Sequence, residues 1–166
     1  GGATGSNIFA TPKGADMTTI CWDGKTMAAD RQMTLGSMRH TNTQSKILQG
    51  TYHGLPALFA GAGTKVYSAA VIEWLRAGMP DDSKPEMPEN PDSFTVIVVT
   101  ELGLHLFVDS LRAIPLGVTK YAIGTGEDYA RGAMAAGACA KRAVEIACEF
   151  DINSGMGVDV LTLRKK

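Results

Sequence analysis

The stretch that decides the fold is 18–30, Thr18-Thr19-Ile20-Cys21-Trp22-Asp23-Gly24-Lys25-Thr26-Met27-Ala28-Ala29-Asp30 (TTICWDGKTMAAD). Residues 18–22 are rich in β-formers, Asp23-Gly24 is a strong hairpin signal, and 25–29 reads as the returning strand. A two-residue turn on Asp23-Gly24 pairs Trp22 with Lys25 and puts Thr18 opposite Ala29. Asp30 then stands one step from Thr18 across the ladder, so a hydroxyl and a carboxylate meet at the open end of the hairpin.

Further along, a strand is expected around 45–49, followed by a continuous apolar strand over 55–62 (LPALFAGA), the kind of run buried on both faces. Val66, Ala70, Val71, Trp74, Leu75 and Gly78 recur at helical spacing until Pro80. The segment 80–92 (PDDSKPEMPENPD) holds four prolines and several acids and reads as a solvated loop. Strands resume over 94–100 (FTVIVVT) and 104–108 (LHLFV), with another at 121–124. The alanine-rich stretch 127–149 predicts one long helix, with Lys141 and Glu145 as an i,i+4 surface pair, and a last strand covers 158–163. Strands in blocks separated by two helices predict an α+β fold of two stacked sheets with helices outside, rather than an alternating βαβ fold.

A chain of 166 residues suits one compact domain. With 45% hydrophobic and 20% charged residues it has the balance of a folded globular protein. No apolar run approaches the roughly 18 residues of a membrane span. A net charge of -1 gives no electrostatic drive toward nucleic acid or an anionic membrane. Cys21, Cys139 and Cys148 are scattered without a CxxC pair, and His40, His53 and His105 are equally dispersed. The sequence therefore predicts no metal centre, no cofactor and no histidine-dependent nucleophile. Residues 1–17 (GGATGSNIFATPKGADM) are small, polar and glycine-rich without the apolar core of a signal peptide. They are read as an N-terminal extension, a cloning remnant or an upstream segment, with the folded domain over 18–166.

Three phosphate-binding patterns fail. Gly24-Lys25-Thr26 matches the tail of a P-loop, but Thr19 stands where its first glycine is needed. Gly61-Ala62-Gly63 and Gly124-Thr125-Gly126 begin like dinucleotide fingerprints, but Val66 and Tyr129 occupy their third glycine positions.

One ordered series does carry chemistry: Met17-Thr18-Thr19-Ile20, Asp30, Lys46, Ala60-Gly61, then 122–126 (AIGTG) and 151–155 (DINSG). It resembles the proteasome β-subunits and HslV, their simpler bacterial relative, both N-terminal nucleophile (Ntn) hydrolases. The sixteen-residue interval from Asp30 to Lys46 and the three from Asp151 to Ser154 match that family, and the likeness runs from about Thr18 to Leu163. The fold it implies is a four-layer αββα sandwich, and the activity a threonine endopeptidase acting on unfolded polypeptides or peptides. Thr18 would be the nucleophile and its own α-amine the base, which requires Thr18 to be the first residue. Met17 fits the HslV-like arrangement, in which loss of a methionine alone exposes the threonine.

By the same resemblance Lys46 lowers the pKa of the Thr18 hydroxyl, and Asp30 orients Lys46. Gly61, or alternatively Gly63, offers an N–H to the oxyanion. Thr125, Asp151 and Ser154 support the amine and a water, with Thr125 standing where the family often has Ser. Met33, Gln44, Leu48 and Phe59 fall near the family's pocket for the side chain before the scissile bond, although ordinary core packing explains Met33, Leu48 and Phe59 about as well, and Thr34 matches a family position whose backbone pairs with the substrate strand. The family implies a cytoplasmic, homo-oligomeric double ring of six or seven subunits per ring, with an ATP-dependent unfoldase as candidate partner. The hairpin is shorter than that of HslV and the prolyl loop is unusual, so a divergent bacterial proteasome homologue fits as well. Two alternatives are a catalytically silent, ring-forming structural subunit and an Ntn amidase acting on small molecules.

Overall fold

The computed structural model describes residues 15–16, 18–35, 38–41 and 45–164. In it the decisive hairpin forms from β2 (Thr19–Trp22) and β3 (Thr26–Asp30), with a register two residues from the expected one. Trp22 lies opposite Met27 and Ile20 opposite Ala29. The turn residues are Gly24-Lys25 rather than Asp23-Gly24, because Asp23 closes the turn: its N–H donates to Thr26 O (3.1 Å) and its carboxylate accepts from the N–H groups of Lys25 and Thr26. Gly24, at φ +96°, supplies the left-handed first position of such a turn. A shift of two preserves which face each side chain takes, so Asp30 still reaches Thr18.

The remaining strands are β1 (Ala15–Asp16), β4 (Gln32–Leu35), β5 (Met38–Thr41), β6 (Ile47–Tyr52), β7 (Leu55–Thr64), β8 (Phe94–Thr100), β9 (Gly103–Val108), β10 (Ile114–Leu116), β11 (Tyr121–Gly124) and β12 (Val158–Thr162). One antiparallel sheet runs β7-β8-β9-β10, and the other edge of β7 is shared by β6 and β1. A second sheet runs β11-β2-β3-β12, and β4 and β5 form a separate ribbon. Strands β4, β5 and β10 are not expected from the sequence, and neither is β1, which lies in the segment 1–17 read as an extension outside the fold but pairs with β7.

The sheets pack face to face. Alternation along each strand assigns its side chains to different layers. Ile20, Trp22, Met27 and Ala29 point inward against Ile47, Leu58, Ala60, Ile97 and Leu104 of the other sheet. Cys21 and Ala28 point outward against the helices. Burial on both faces is why these strands read as unbroken apolar runs.

Helix α1 (Lys65–Arg76) covers the first sheet through Val71, Ile72 and Leu75, which meet Phe59, Val96, Val98 and Phe107. The other outer layer is not one helix over 127–149 but two, α2 (Glu127–Ala135) and α3 (Ala140–Phe150). Gly137 at φ +108° ends α2, with its N–H on Met134 O (3.0 Å) and that of Ala138 on Ala133 O (3.0 Å), a left-handed cap that summed alanine propensity does not sense. Cys139 is consequently the N-cap of α3 rather than a mid-helix residue. The hairpin turn anchors that helix, since Asp23 Oδ2 accepts the Ala140 N–H at 2.8 Å. The order helix, sheet, sheet, helices is the expected αββα sandwich.

Candidate active site

Thr18 sits immediately before β2, and the hairpin carries Asp30 to it from the end of β3. Lys46 arrives from the start of β6, in the other sheet. The Thr18 hydroxyl lies between them: Lys46 Nζ donates to Thr18 Oγ1 at 2.8 Å, and Thr18 Oγ1 donates to Asp30 Oδ1 at 2.7 Å. Lys46 Nζ also pairs with Asp30 Oδ1 at 3.0 Å, closing a triangle. Thr18 and Asp30 are fully buried, and the Lys46 side chain is 3% exposed. A buried ion pair persists only when its remaining lone pairs are satisfied. Asp30 meets this condition, because Oδ1 also accepts Thr19 N–H (3.0 Å) and Oδ2 accepts the N–H groups of Gln32 (3.2 Å) and Gly155 (3.0 Å).

On the other side of Thr18 the partners are hydroxyls. Thr18 O accepts the Thr125 N–H at 2.7 Å, with Thr125 Oγ1 3.2 Å away. The Thr125 hydroxyl donates to Asp151 Oδ2 at 2.6 Å, and Ser154 Oγ donates to the same oxygen at 2.8 Å. Ser154 Oγ in turn lies 2.7 Å from Thr19 Oγ1. Glycines on either side of Thr125 permit this approach, since a Cβ at Gly124 would strike Thr18 O and one at Gly126 would strike Thr19 Oγ1. Thr125 thus shares one network with Asp151 and Ser154, 26 or more positions away, and with Thr18 and Thr19.

Gly61 lies inside β7, where a Cβ would come 2.8 Å from Ser68 Cβ of α1. Gly63 lies two residues on, opposite Asp16 of β1, and a Cβ there would strike Ser93 O. Among the expected pocket residues, Met33 is half-buried on β4 opposite His40. Thr34 is opposite Arg39 on the same ribbon. Leu48 is 37% exposed on β6 and opposes Phe59. Phe59 itself is wholly buried in the core against α1. Gln44 lies outside the described residues. A cleft of about 360 Å³, walled by Leu106, Val108, Tyr121 and Ile123, opens beside Gly63, Gly124 and Thr125.

Burial, reinforced by the Asp30 charge, pushes the Cys148 thiol up to about 11, and burial pushes Cys21 to about 12, so neither supplies a thiolate at neutral pH. His53 and His105 pack against Tyr52 instead, with ring centroids 4.3 and 5.6 Å away. Among the described residues, no group of three or more His, Cys, Asp or Glu side chains is placed to hold a metal ion.

Two participants escaped the sequence reading. Thr19 looks like a simple β-former, yet its N–H and hydroxyl bridge Asp30 and Ser154. Gln32 follows Asp30 by two positions and therefore leaves the strand on the same face, which is the signal that could have found it.

No family model and no curated protein matches this sequence. Solved structures do match in fold. Thiobacillus denitrificans BPH is 19% identical, with a TM-score of 0.64 over 90% of this chain and 98% of that one. The same protein in complex with epoxomicin gives 18% and 0.65, over 90% of this chain and 100% of that one. Eukaryotic HslV from Trypanosoma brucei gives 19% and 0.62, over 87% and 98% respectively. Together with the layers and sheets described above, these likenesses assign the chain the proteasome-like, HslV-type fold of the Ntn hydrolases.

Proposed function

We propose that the chain, once it begins at Thr18, is a threonine endopeptidase that cuts unfolded polypeptides or peptides, working as the single subunit type of a ring-shaped assembly. The observation that carries this reading is the Thr18 hydroxyl held between Lys46 Nζ and Asp30 Oδ1 at 2.8 and 2.7 Å. A threonine hydroxyl is a weak nucleophile and needs both a base and a nearby positive charge. Lys46 supplies the charge.

While residues precede Thr18, its nitrogen is an amide and takes no proton. A free α-amine, with an ordinary pKa of about 7.7–8.0, is partly neutral at physiological pH and serves as base. It takes the hydroxyl proton as Oγ1 attacks the substrate carbonyl carbon, and the carbonyl electron pair moves onto oxygen. A backbone N–H at Gly61 or Gly63 faces that oxyanion. The C–N bond then breaks as the ammonium returns its proton to the leaving nitrogen, leaving an ester on Thr18. Water, deprotonated by the same amine, hydrolyses the ester and restores the hydroxyl. Asp151, Ser154 and Thr125 keep the Thr18 backbone and the amine in register with the hydroxyl.

The test compares three proteins on short fluorogenic peptides: the chain beginning at Thr18, its Thr18→Ala variant, and the 166-residue form shown by mass to be unprocessed. Only the first is expected to turn over substrate. Hydrolysis surviving in Thr18→Ala refutes the mechanism. A form with Thr18 at its terminus that neither hydrolyses peptides nor binds epoxomicin, while still assembling into rings by native mass spectrometry, favours the silent structural subunit.

A further inference from the structure

Gln32 is the first residue of β4, and its side chain is 1% exposed. Burying a primary amide is costly unless its polar atoms are engaged. Its Nε2 donates to Ile152 O at 3.1 Å, and its backbone N–H donates to Asp30 Oδ2 at 3.2 Å. The loop it grips is the one that holds Asp151 and Ser154. That loop is fastened nearby at two further points: Gly155 N–H on Asp30 Oδ2 (3.0 Å), and Arg31 N–H on the carbonyls of Gly155 and Gly157 (3.0 Å each). Gln32 is therefore a residue that joins three parts of the site, its side chain gripping the loop and its backbone N–H the carboxylate. These are the carboxylate paired with Lys46, the loop carrying the hydroxyl network, and the β4–β5 ribbon on which Met33 and Thr34 lie.

We infer that Gln32 is a positioning residue: it holds the 151–155 loop in register with Asp30, and so keeps Asp151 and Ser154 aligned with Thr18 and Thr19. Its position at the head of β4 ties that alignment to the ribbon expected to pair with substrate. The residue type fits the task. A neutral amide donates to a carbonyl beside Asp30 without adding charge, whereas a carboxylate there faces both Asp30 and the Ile152 carbonyl, and a lysine competes with Lys46.

The inference rests on Thr18 acting as nucleophile, and the test keeps the two separable. In the chain beginning at Thr18, Gln32→Met keeps the bulk and removes the donor, while Gln32→Glu keeps the shape and makes the donor dependent on protonation. Two quantities are measured: kcat and KM on a fluorogenic peptide across a pH series, and amide hydrogen exchange over 151–157. Gln32→Met is expected to lower kcat about thirtyfold with KM within about twofold, and to speed exchange in 151–157 about tenfold while α1 is unchanged. The activity of Gln32→Glu relative to the parent is expected to rise as pH falls, because a protonated carboxyl donates to Ile152 O as the amide does. A residue that only fills space leaves exchange over 151–157 parent-like in Gln32→Met and in Gln32→Glu at low pH.

Parent-like kcat and exchange in Gln32→Met overturn the inference, as does a flat Gln32→Glu ratio. If Gln32→Met fails to fold, the Gln32→Glu ratio and its exchange decide alone. If the parent hydrolyses nothing, the peptidase reading fails, and the exchange comparison still decides whether Gln32 holds the loop.

Discussion

Around the Thr18 hydroxyl the partners are charged and sealed from solvent, whereas around its carbonyl and Thr19 they are hydroxyls converging on one carboxylate, Asp151. The two regions differ in how much they depend on any one member. Lys46 and Asp30 neutralise each other while both are buried, so removing either leaves the other as a buried charge. Thr125, Ser154 and Thr19 are neutral, and each can lose a partner without stranding a charge. The charged side should therefore be brittle and the hydroxyl side graded.

The largest effect is expected at Lys46. Lys46→Ala removes the cation beside the nucleophile and strands Asp30, so kcat of the Thr18-initiated chain should fall on the order of 10³-fold or more. Its unfolding free energy should drop by about 3 kcal/mol. Steady-state kinetics and urea denaturation measure the two, and a variant with near-parent stability would remove the brittleness on which the contrast rests.

An intermediate effect is expected at Asp151. Asp151→Asn weakens the acceptor for both Thr125 and Ser154 but leaves Lys46 and Asp30 paired, so kcat should fall about thirtyfold with little change in the urea midpoint. If Asp151→Asn proves as damaging as Lys46→Ala, the two sides act as one unit. The smallest effect belongs to Thr125→Ser, which keeps the hydroxyl that donates to Asp151 and removes one methyl from an exposed residue. Turnover should stay within about threefold, in line with the roughly 0.5 kcal/mol of an exposed substitution. A larger loss would mean that the methyl itself steers the neighbouring strand.

The charged side was the more legible in the sequence, because Thr18 and Asp30 share one hairpin and only an even shift separated the expected register from the real one. The hydroxyl side joins Thr19 to Ser154 across 135 positions, a distance that no local periodicity reports. Thr125, Asp151 and Ser154 were picked out by family resemblance alone, as was Lys46, and Thr19 was missed. The layer order followed from the blocks of strands, but the finer breaks did not. Gly137 splits the outer helix through one backbone conformation, against a background of alanines that favours continuity. Strand β10 contains Pro115, which counts against a strand except at a sheet edge, and that edge is where it lies. Phe59 has the composition of a pocket residue and the burial of a core one, and only the position of α1 separates the two.

The pairing of β1 with β7 has a consequence for how such an enzyme would be switched on. Ala15 lies opposite Thr64 and Asp16 opposite Gly63, so the chain fills part of its own sheet edge. Severing the backbone ahead of Thr18 ends the covalent tie of this strand to the domain and leaves only its pairing with β7. The one cut would therefore yield a free amine and, once β1 leaves β7, a strip of vacant main-chain donors and acceptors. Exposure of the amine and clearing of the edge would thus both follow from one cleavage, the second once the short β1 pairing is lost.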